Sequence, residues 1–173
     1  MSARTAFVLT VGDRAAAGAR EDSSGDAVTA RLAALGLAVE RGVVADEAPA
    51  IAAAIVAGAA AHALVVTTGG TGLTPRDVTP QATAAVLDFE VPGLAEAMRA
   101  EGRRTTPMAA LSRGLAGVVG RSLVVNLPGS TKGALESLDA IAPVLDHALE
   151  TLSGPFDHDT ARADGRRDLP TGA

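Results

Sequence analysis

The stretch Thr67-Thr68-Gly69-Gly70-Thr71-Gly72-Leu73-Thr74-Pro75-Arg76-Asp77-Val78-Thr79-Pro80 constrains this chain more than any other. It follows Ala63-Leu64-Val65-Val66, an apolar run that predicts a buried strand. Residues 81–87 after it predict a helix. A strand that empties into a glycine-rich loop and then a helix can form an anion site. Glycines let backbone N–H groups close around a phosphate, and the helix N-terminus adds a favourable dipole. Thr79 is expected to cap the helix and Pro80 to fill its first position. Arg76 and Asp77 place a cation and a carboxylate beside the loop. The same pattern also suits a plain tight connection between strand and helix. It lacks the Lys-Ser/Thr ending of a P-loop, and G-x-G-x-x-G occurs nowhere in the chain.

The surrounding segments alternate. Residues 6–11, 37–44 and 63–67 read as strands, and residues 12–25 as a polar, glycine-containing loop. In residues 26–35, Val28, Leu32 and Leu35 recur at helical spacing, with Gly36 as the C-cap. Asp46 and Glu47 are expected to begin the next helix, where acidic groups are favoured, with Pro49 in its first turn. This β-α-β-α-β order predicts an α/β fold: a parallel sheet with helices on both faces. Ligands of such sheets bind at the carboxyl edge of the strands. Further on, Val91-Pro92-Gly93 opens an expected helix through Ala100, and residues 106–111 read as another. Residues 115–119 and 123–125 read as strands in a hairpin about Gly120-Arg121. Asn126-Leu127-Pro128-Gly129-Ser130-Thr131-Lys132-Gly133 is a second glycine-containing loop after a strand. Residues 134–152 form the last expected helix, which Pro143 either bends or restarts. Residues 1–152 are expected to form one domain, and residues 153–173, rich in Gly, Pro, Asp and Arg, a mobile tail.

Composition removes several functions. The chain has 173 residues, 47% of them hydrophobic, enough for a substantial core. It has no Trp or Tyr and three Phe, which argues against base stacking on aromatic platforms. A net charge of −5 argues against a broad nucleic-acid surface. With no cysteine there is no thiol nucleophile or Cys metal site, and the three histidines lack metal-ligand spacing. No segment is long and apolar enough to span a bilayer. The N-terminus leads directly into a strand, so the expected location is cytoplasmic.

The predicted sheet edge gathers residues 12–25, Asp46-Glu47 and residues 68–79, with residues 126–133 as a fourth loop. They bring carboxylates (Asp13, Asp22, Asp46, Asp77), hydroxyls (Ser23, Ser24, Thr71, Ser130, Thr131) and cations (Arg76, Lys132). Oxygen ligands beside a phosphate cradle suit Mg²⁺, which is often held by one or two carboxylates plus substrate phosphates. Phosphoryl and nucleotidyl transfer need mainly positioning and charge neutralisation. Each residue also has a structural reading. Asp46 and Asp77 can sit at helix N-termini, Asp13 can form an Asx-turn, Ser112-Arg113 can lie on the surface at a helix end, and Lys132 can be a solvated charge.

The chain resembles the molybdenum-cofactor biosynthesis family of MogA, MoaB and the gephyrin G domain. The segment from Thr68 to Pro80 carries most of the resemblance. Thr10-Val11-Gly12-Asp13-Arg14, Asp22-Ser23-Ser24-Gly25, Val44-Ala45-Asp46-Glu47, Pro92-Gly93, Leu111-Ser112-Arg113 and Asn126-Leu127-Pro128-Gly129 add to it in the same order. The resemblance implies a three-layer α/β/α sandwich with a mostly parallel central sheet. It implies a homotrimer, and molybdopterin, a pterin bearing a dithiolene and a phosphate, as ligand. It also implies Mg²⁺-dependent transfer of AMP from ATP to molybdopterin, and possible contacts with other molybdenum-cofactor biosynthesis proteins. The family's functional aspartates fall on Asp46 and Asp77, as catalytic and metal-binding groups. The substrate-binding candidates become Asp13, Ser24, Gly69, Gly70, Thr71, Gly72, Arg76, Ser112, Asn126, Pro128, Gly129, Ser130 and Lys132. Ala45 stands where members often have Pro. Ser130-Thr131 stands where many adenylylating members have Asn or Gln followed by Pro, closer to MoaB-like proteins. A non-catalytic MoaB-like carrier of molybdopterin is therefore the alternative function. A nucleotide-processing protein of the competence-damage type is a remoter one.

Overall fold

The computed structural model describes residues 4–19 and 21–154. Six strands form one sheet: β1 (Thr5–Val11), β2 (Ala38–Val44), β3 (Leu64–Thr68), β4 (Phe89–Glu90), β5 (Ala116–Val119) and β6 (Ser122–Leu127). Their order is β2-β1-β3-β6-β5-β4. β2, β1, β3 and β6 are mutually parallel, and β5 runs antiparallel to both β6 and β4. The helices are α1 (Asp13–Ala16), α2 (Ser23–Ala34), α3 (Ala48–Ala61), α4 (Thr79–Ala84), α5 (Pro92–Thr105) and α6 (Thr131–Ser153), with a 3₁₀ turn at Pro107–Leu111.

Strand periodicity divides the core into two layers. Ala6 and Val8 of β1, Leu64 and Val66 of β3, and Leu123 and Val125 of β6 face α2, α5 and α6 through Val28, Leu32, Met98, Leu138 and Ile141. The alternate residues Leu9, Val11, Val65 and Val124 face α3 and α4 through Ile51, Ile55 and Ala82. β1 connects outward to β2 through α2, and β2 returns across β1 to β3 through α3. Right-handed crossovers in opposite directions put those two helices on opposite faces. The three-layer α/β/α sandwich expected from the sequence is thus present. The reversal leaves a crevice at the carboxyl ends of β1 and β3, the switch point where such sheets bind ligands.

Local differences have identifiable causes. Within the expected loop 12–25, α1 forms, and α2 begins three residues before the expected position. Asp22 caps α2 by accepting from the Gly25 N–H at 2.9 Å, which extends the helix backward. Thr79 is not a cap. Val78 occupies that position, while the Thr79 hydroxyl donates to the Gly69 carbonyl at 2.9 Å. α6 runs through Pro143 without a restart, and Asn126 belongs to β6 rather than to a loop. The short strand β4 was not expected. Of the proposed tail, Ser153 ends α6 and Gly154 follows it; residues 155–173 lie outside the described residues. Among the described residues, no helix is long and apolar enough to cross a membrane.

Candidate functional site

Two cavities open at the carboxyl edge of the sheet and meet at Ser130. The first, about 840 Å³, lies over the β1–β3 switch point and is lined by carboxylates, hydroxyls and glycine backbone. The second, about 430 Å³, lies beside it, between the glycine loop, α5, the 3₁₀ turn and the start of α6. It is mainly apolar, with Leu73, Met98, Met108 and Leu111 in its walls. Both volumes fall within the usual range for small-molecule sites.

The glycine loop divides them. Gly69 and Gly70 have φ of +97° and +66°, conformations that favour glycine. A Cβ on Gly69 would lie 2.4 Å from the Val11 carbonyl oxygen, and one on Gly70 would lie 2.3 Å from the Thr79 hydroxyl. The loop is pinned by Gly69 N–H to the Leu127 carbonyl and Thr79 N–H to the Gly70 carbonyl. Gly129 packs its backbone on Gly69, where a Cβ would come within 3.2 Å of the Gly69 Cα. Gly69, Gly70 and Gly129 face the polar cavity; Thr71, Gly72 and Pro128 line the apolar one.

Asp13, Asp46 and Asp77 all line the polar cavity. Asp13 and Asp46 are locked together: the Asp13 N–H donates to Asp46 Oδ2 at 2.9 Å, and the Asp46 N–H donates to Asp13 Oδ1 at 3.0 Å. Asp46 Oδ1 stays beside Gly70. Arg76 donates to both Asp13 oxygens at 2.8–3.1 Å and to Glu47 at 3.3 Å. It is therefore a buttress between loops rather than a cation without partners. The Arg76 bonds, followed by the Asp46 N–H, hold the Asp13 carboxyl below the ordinary carboxylate range. Asp77 does not cap α4. Its Oδ2 accepts from the Thr74 N–H at 2.8 Å and the Thr74 hydroxyl at 2.6 Å, closing the loop on itself. Burial pushes the Asp77 carboxyl up, but Thr74, the Gly72 backbone and the Arg113 charge outweigh it and leave it lowered.

Among the described residues, no three His, Cys, Asp or Glu side chains converge as a metal cage. The oxygen donors of Asp46 and Asp77 instead fit Mg²⁺ held by one or two carboxylates together with substrate oxygens.

A probable molybdopterin binding domain matches residues 7–147. The chain belongs to this family. It is 38% identical to the molybdopterin adenylyltransferase of Helicobacter pylori strain J99 over 154 residues, covering 86% of this chain and 88% of that protein. It is 43% identical to the molybdenum cofactor biosynthesis bifunctional protein of Synechococcus elongatus over 162 residues, 91% of this chain. The match spans half the length of that relative. The solved structure of the molybdopterin biosynthesis enzyme MoaB from Thermus thermophilus superposes with a TM-score of 0.80 at 49% identity. That superposition covers 89% of this chain and 99% of the other.

The other candidates of this molybdopterin-binding family member divide between the cavities and the frame. Ser24 lines the polar cavity, its hydroxyl 3.1 Å from that of Thr68. Ser112 lines the apolar cavity. Ser130 borders both and caps α6 by accepting from the Gly133 N–H. Asn126 borders the apolar cavity, but its side chain is committed. Nδ2 donates to the Thr67 and Thr83 hydroxyls at 3.0 and 2.9 Å, and Oδ1 accepts from the Leu115 N–H. Lys132 stays outside both cavities, on α6, 3.8 Å from Glu136. Asp22 is the cap of α2, held by Thr10 at 2.6 Å and paired with Arg41. The sequence reading missed the apolar cavity and the role of Arg113. Arg113 is not a surface residue at a helix end: it is half-buried and bonded to the glycine loop.

Proposed function

We propose that the chain is a molybdopterin adenylyltransferase, with ATP in the polar cavity and the pterin of molybdopterin in the apolar one. The observation that carries this reading is the junction. Two cavities of opposite character share Ser130 at the N-terminus of α6, with the glycine loop between them. A flat heterocycle suits the apolar walls, and a phosphate suits the helix N-terminus. The triphosphate lies along Gly69 and Gly70, where close backbone approach is possible. A terminal phosphate oxygen of molybdopterin attacks the α-phosphorus of ATP, and the bond from the α-phosphorus to the bridging oxygen breaks. Pyrophosphate leaves with that oxygen. The nucleophile is already anionic, so no general base is assigned. Asp46 and Asp77 would hold Mg²⁺, which supplies neutralisation of phosphate charge when bound. Asp13, Arg76 and Glu47 hold the loops that carry those aspartates. The likeness to molybdopterin adenylyltransferase of Helicobacter pylori supports the reaction.

The test is incubation of the full chain with molybdopterin, ATP and Mg²⁺. Adenylyl-molybdopterin and pyrophosphate are the expected products, with omission of Mg²⁺ abolishing them. Tight molybdopterin binding without product would replace this reading with the carrier, the alternative that Ser130-Thr131 favours. A homotrimer is the proposed assembly; Val43 and Phe89 on the two edge strands are exposed apolar residues that an assembly can cover.

A further inference from the structure

We propose that Arg113 is a positioning residue that couples the apolar cavity to the Asp77 loop, so that filling the first fixes the second. The proposal rests on the reading above for which ligand occupies which cavity. Arg113 lies between the 3₁₀ turn and β5. Its N–H donates to the Thr71 carbonyl at 3.0 Å. Its Nε donates to the Gly72 carbonyl at 2.7 Å, and its Nη2 to the Asp77 carbonyl at 2.6 Å. One residue thus grips both ends of segment 72–77. The planar guanidinium fork can serve two divergent carbonyls at once; the single ammonium of lysine cannot hold the same geometry.

The gripped segment is a closed unit. Asp77 N–H donates to the Thr74 carbonyl, and Asp77 Oδ2 accepts twice from Thr74. Residues 73–76 are exposed, and the Arg76 contacts to Asp13 and Glu47 are exposed ion pairs of small worth. The half-buried Arg113 bonds are therefore the firmer tether. On the other side, Ser112 and Gly114 line the apolar cavity, and the Gly114 carbonyl accepts from Arg99, a further wall residue, at 3.1 Å. Segment 112–114 is a wall of the apolar cavity that Arg113 ties to the Asp77 loop: a ligand pressing on it bears on the backbone of Asp77, whose carboxylate faces the polar cavity.

The experiment is amide hydrogen exchange of the full chain with and without molybdopterin, in wild type and Arg113→Lys, alongside calorimetric binding and turnover. In wild type, molybdopterin should slow exchange across residues 72–77 about tenfold. Arg113→Lys should keep molybdopterin affinity within about threefold, lose that protection, and lower kcat about 10²-fold with little change in KM for ATP. Equal protection in variant and wild type, or none in wild type, overturns the proposal. So does a matched fall of melting temperature, pterin affinity and kcat, which marks a purely structural role. Arg113→Gln, which keeps N–H donors without charge, repeats the measurement if the lysine variant melts below the assay temperature. Protection without any adenylyl product in wild type would remove the proposed reaction and leave the coupling standing.

Discussion

The two cavities are built by different means. The floor of the polar cavity is made of strand-to-helix connections: Gly12, Asp13, Asp46, Gly69, Gly70, Thr74, Arg76 and Asp77 follow three parallel strands, and each connection is tied to the next by hydrogen bonds. Its shape depends on backbone conformation, and two of its glycines have positive φ. The apolar cavity is made of side chains from helices that also pack the core, such as Met98 of α5, and from exposed residues such as Met108 and Leu73. Its shape depends on packing. Substitutions in the first should therefore act on charge and loop geometry, and substitutions in the second on affinity alone.

The largest expected effect comes from Asp46→Asn and Asp77→Asn. Asparagine can still accept the N–H bonds from Asp13 and Thr74, so folding should change little. Turnover should fall about 10²–10³-fold, because stabilisation of developing charge is worth several kcal/mol, while molybdopterin affinity persists. Wild-type turnover in both variants would assign these aspartates to the frame. Next is Gly69→Val, which forces a β-branched residue to positive φ and against the Val11 carbonyl. It should cost about 3 kcal/mol of stability and weaken both ligands; an unchanged melting temperature would show that the loop relaxes without cost.

Asp22→Asn should cost about 1 kcal/mol at neutral pH through loss of charge-assisted bonds. Burial pushes the Asp22 carboxyl up, but Thr10, the Gly25 N–H and Arg41 together hold it below its ordinary value. Its stabilisation is therefore complete above the unfolded value of about 3.9 and is lost as pH falls through the lower folded value. The melting-temperature gap between wild type and variant should be constant above about pH 5 and close below about pH 4. A gap that grows on acidification would reverse the assigned sign. The smallest effect belongs to Met108→Ala, 62% exposed in the free chain. Molybdopterin affinity should fall about fivefold, for roughly 1 kcal/mol of apolar contact, with ATP affinity and melting temperature unchanged. Loss of ATP affinity instead would exchange the ligands between the cavities.

The same difference explains what could be read from the sequence. The polar cavity was legible because its central part is contiguous: residues 67–80 announce strand, loop and helix in one line. The parallel sheet followed from apolar strands alternating with helices. Asp22 was read as one of several carboxylates in a loop. Its place at the start of α2 rests on the Gly25 N–H and on the ion pair with Arg41 of β2, and only the first is local. The apolar cavity was not legible, because Met98, Met108 and Ser137 are dispersed and each is an ordinary residue in its own segment. The role of Arg113, for which a surface position was the structural reading, escaped for a related reason. Its partners are carbonyl groups 36 and 41 residues away, which leave no trace in side-chain pattern.

The central claim is that AMP, rather than a phosphoryl group, passes between the two cavities. Parallel incubations with molybdopterin, Mg²⁺ and ATP labelled either at the α- or at the γ-phosphate test it most directly. The account predicts α-label in the pterin product and γ-label only in released pyrophosphate. Transfer of γ-label to the pterin, or α-label confined to unreacted nucleotide while molybdopterin is bound, would contradict it.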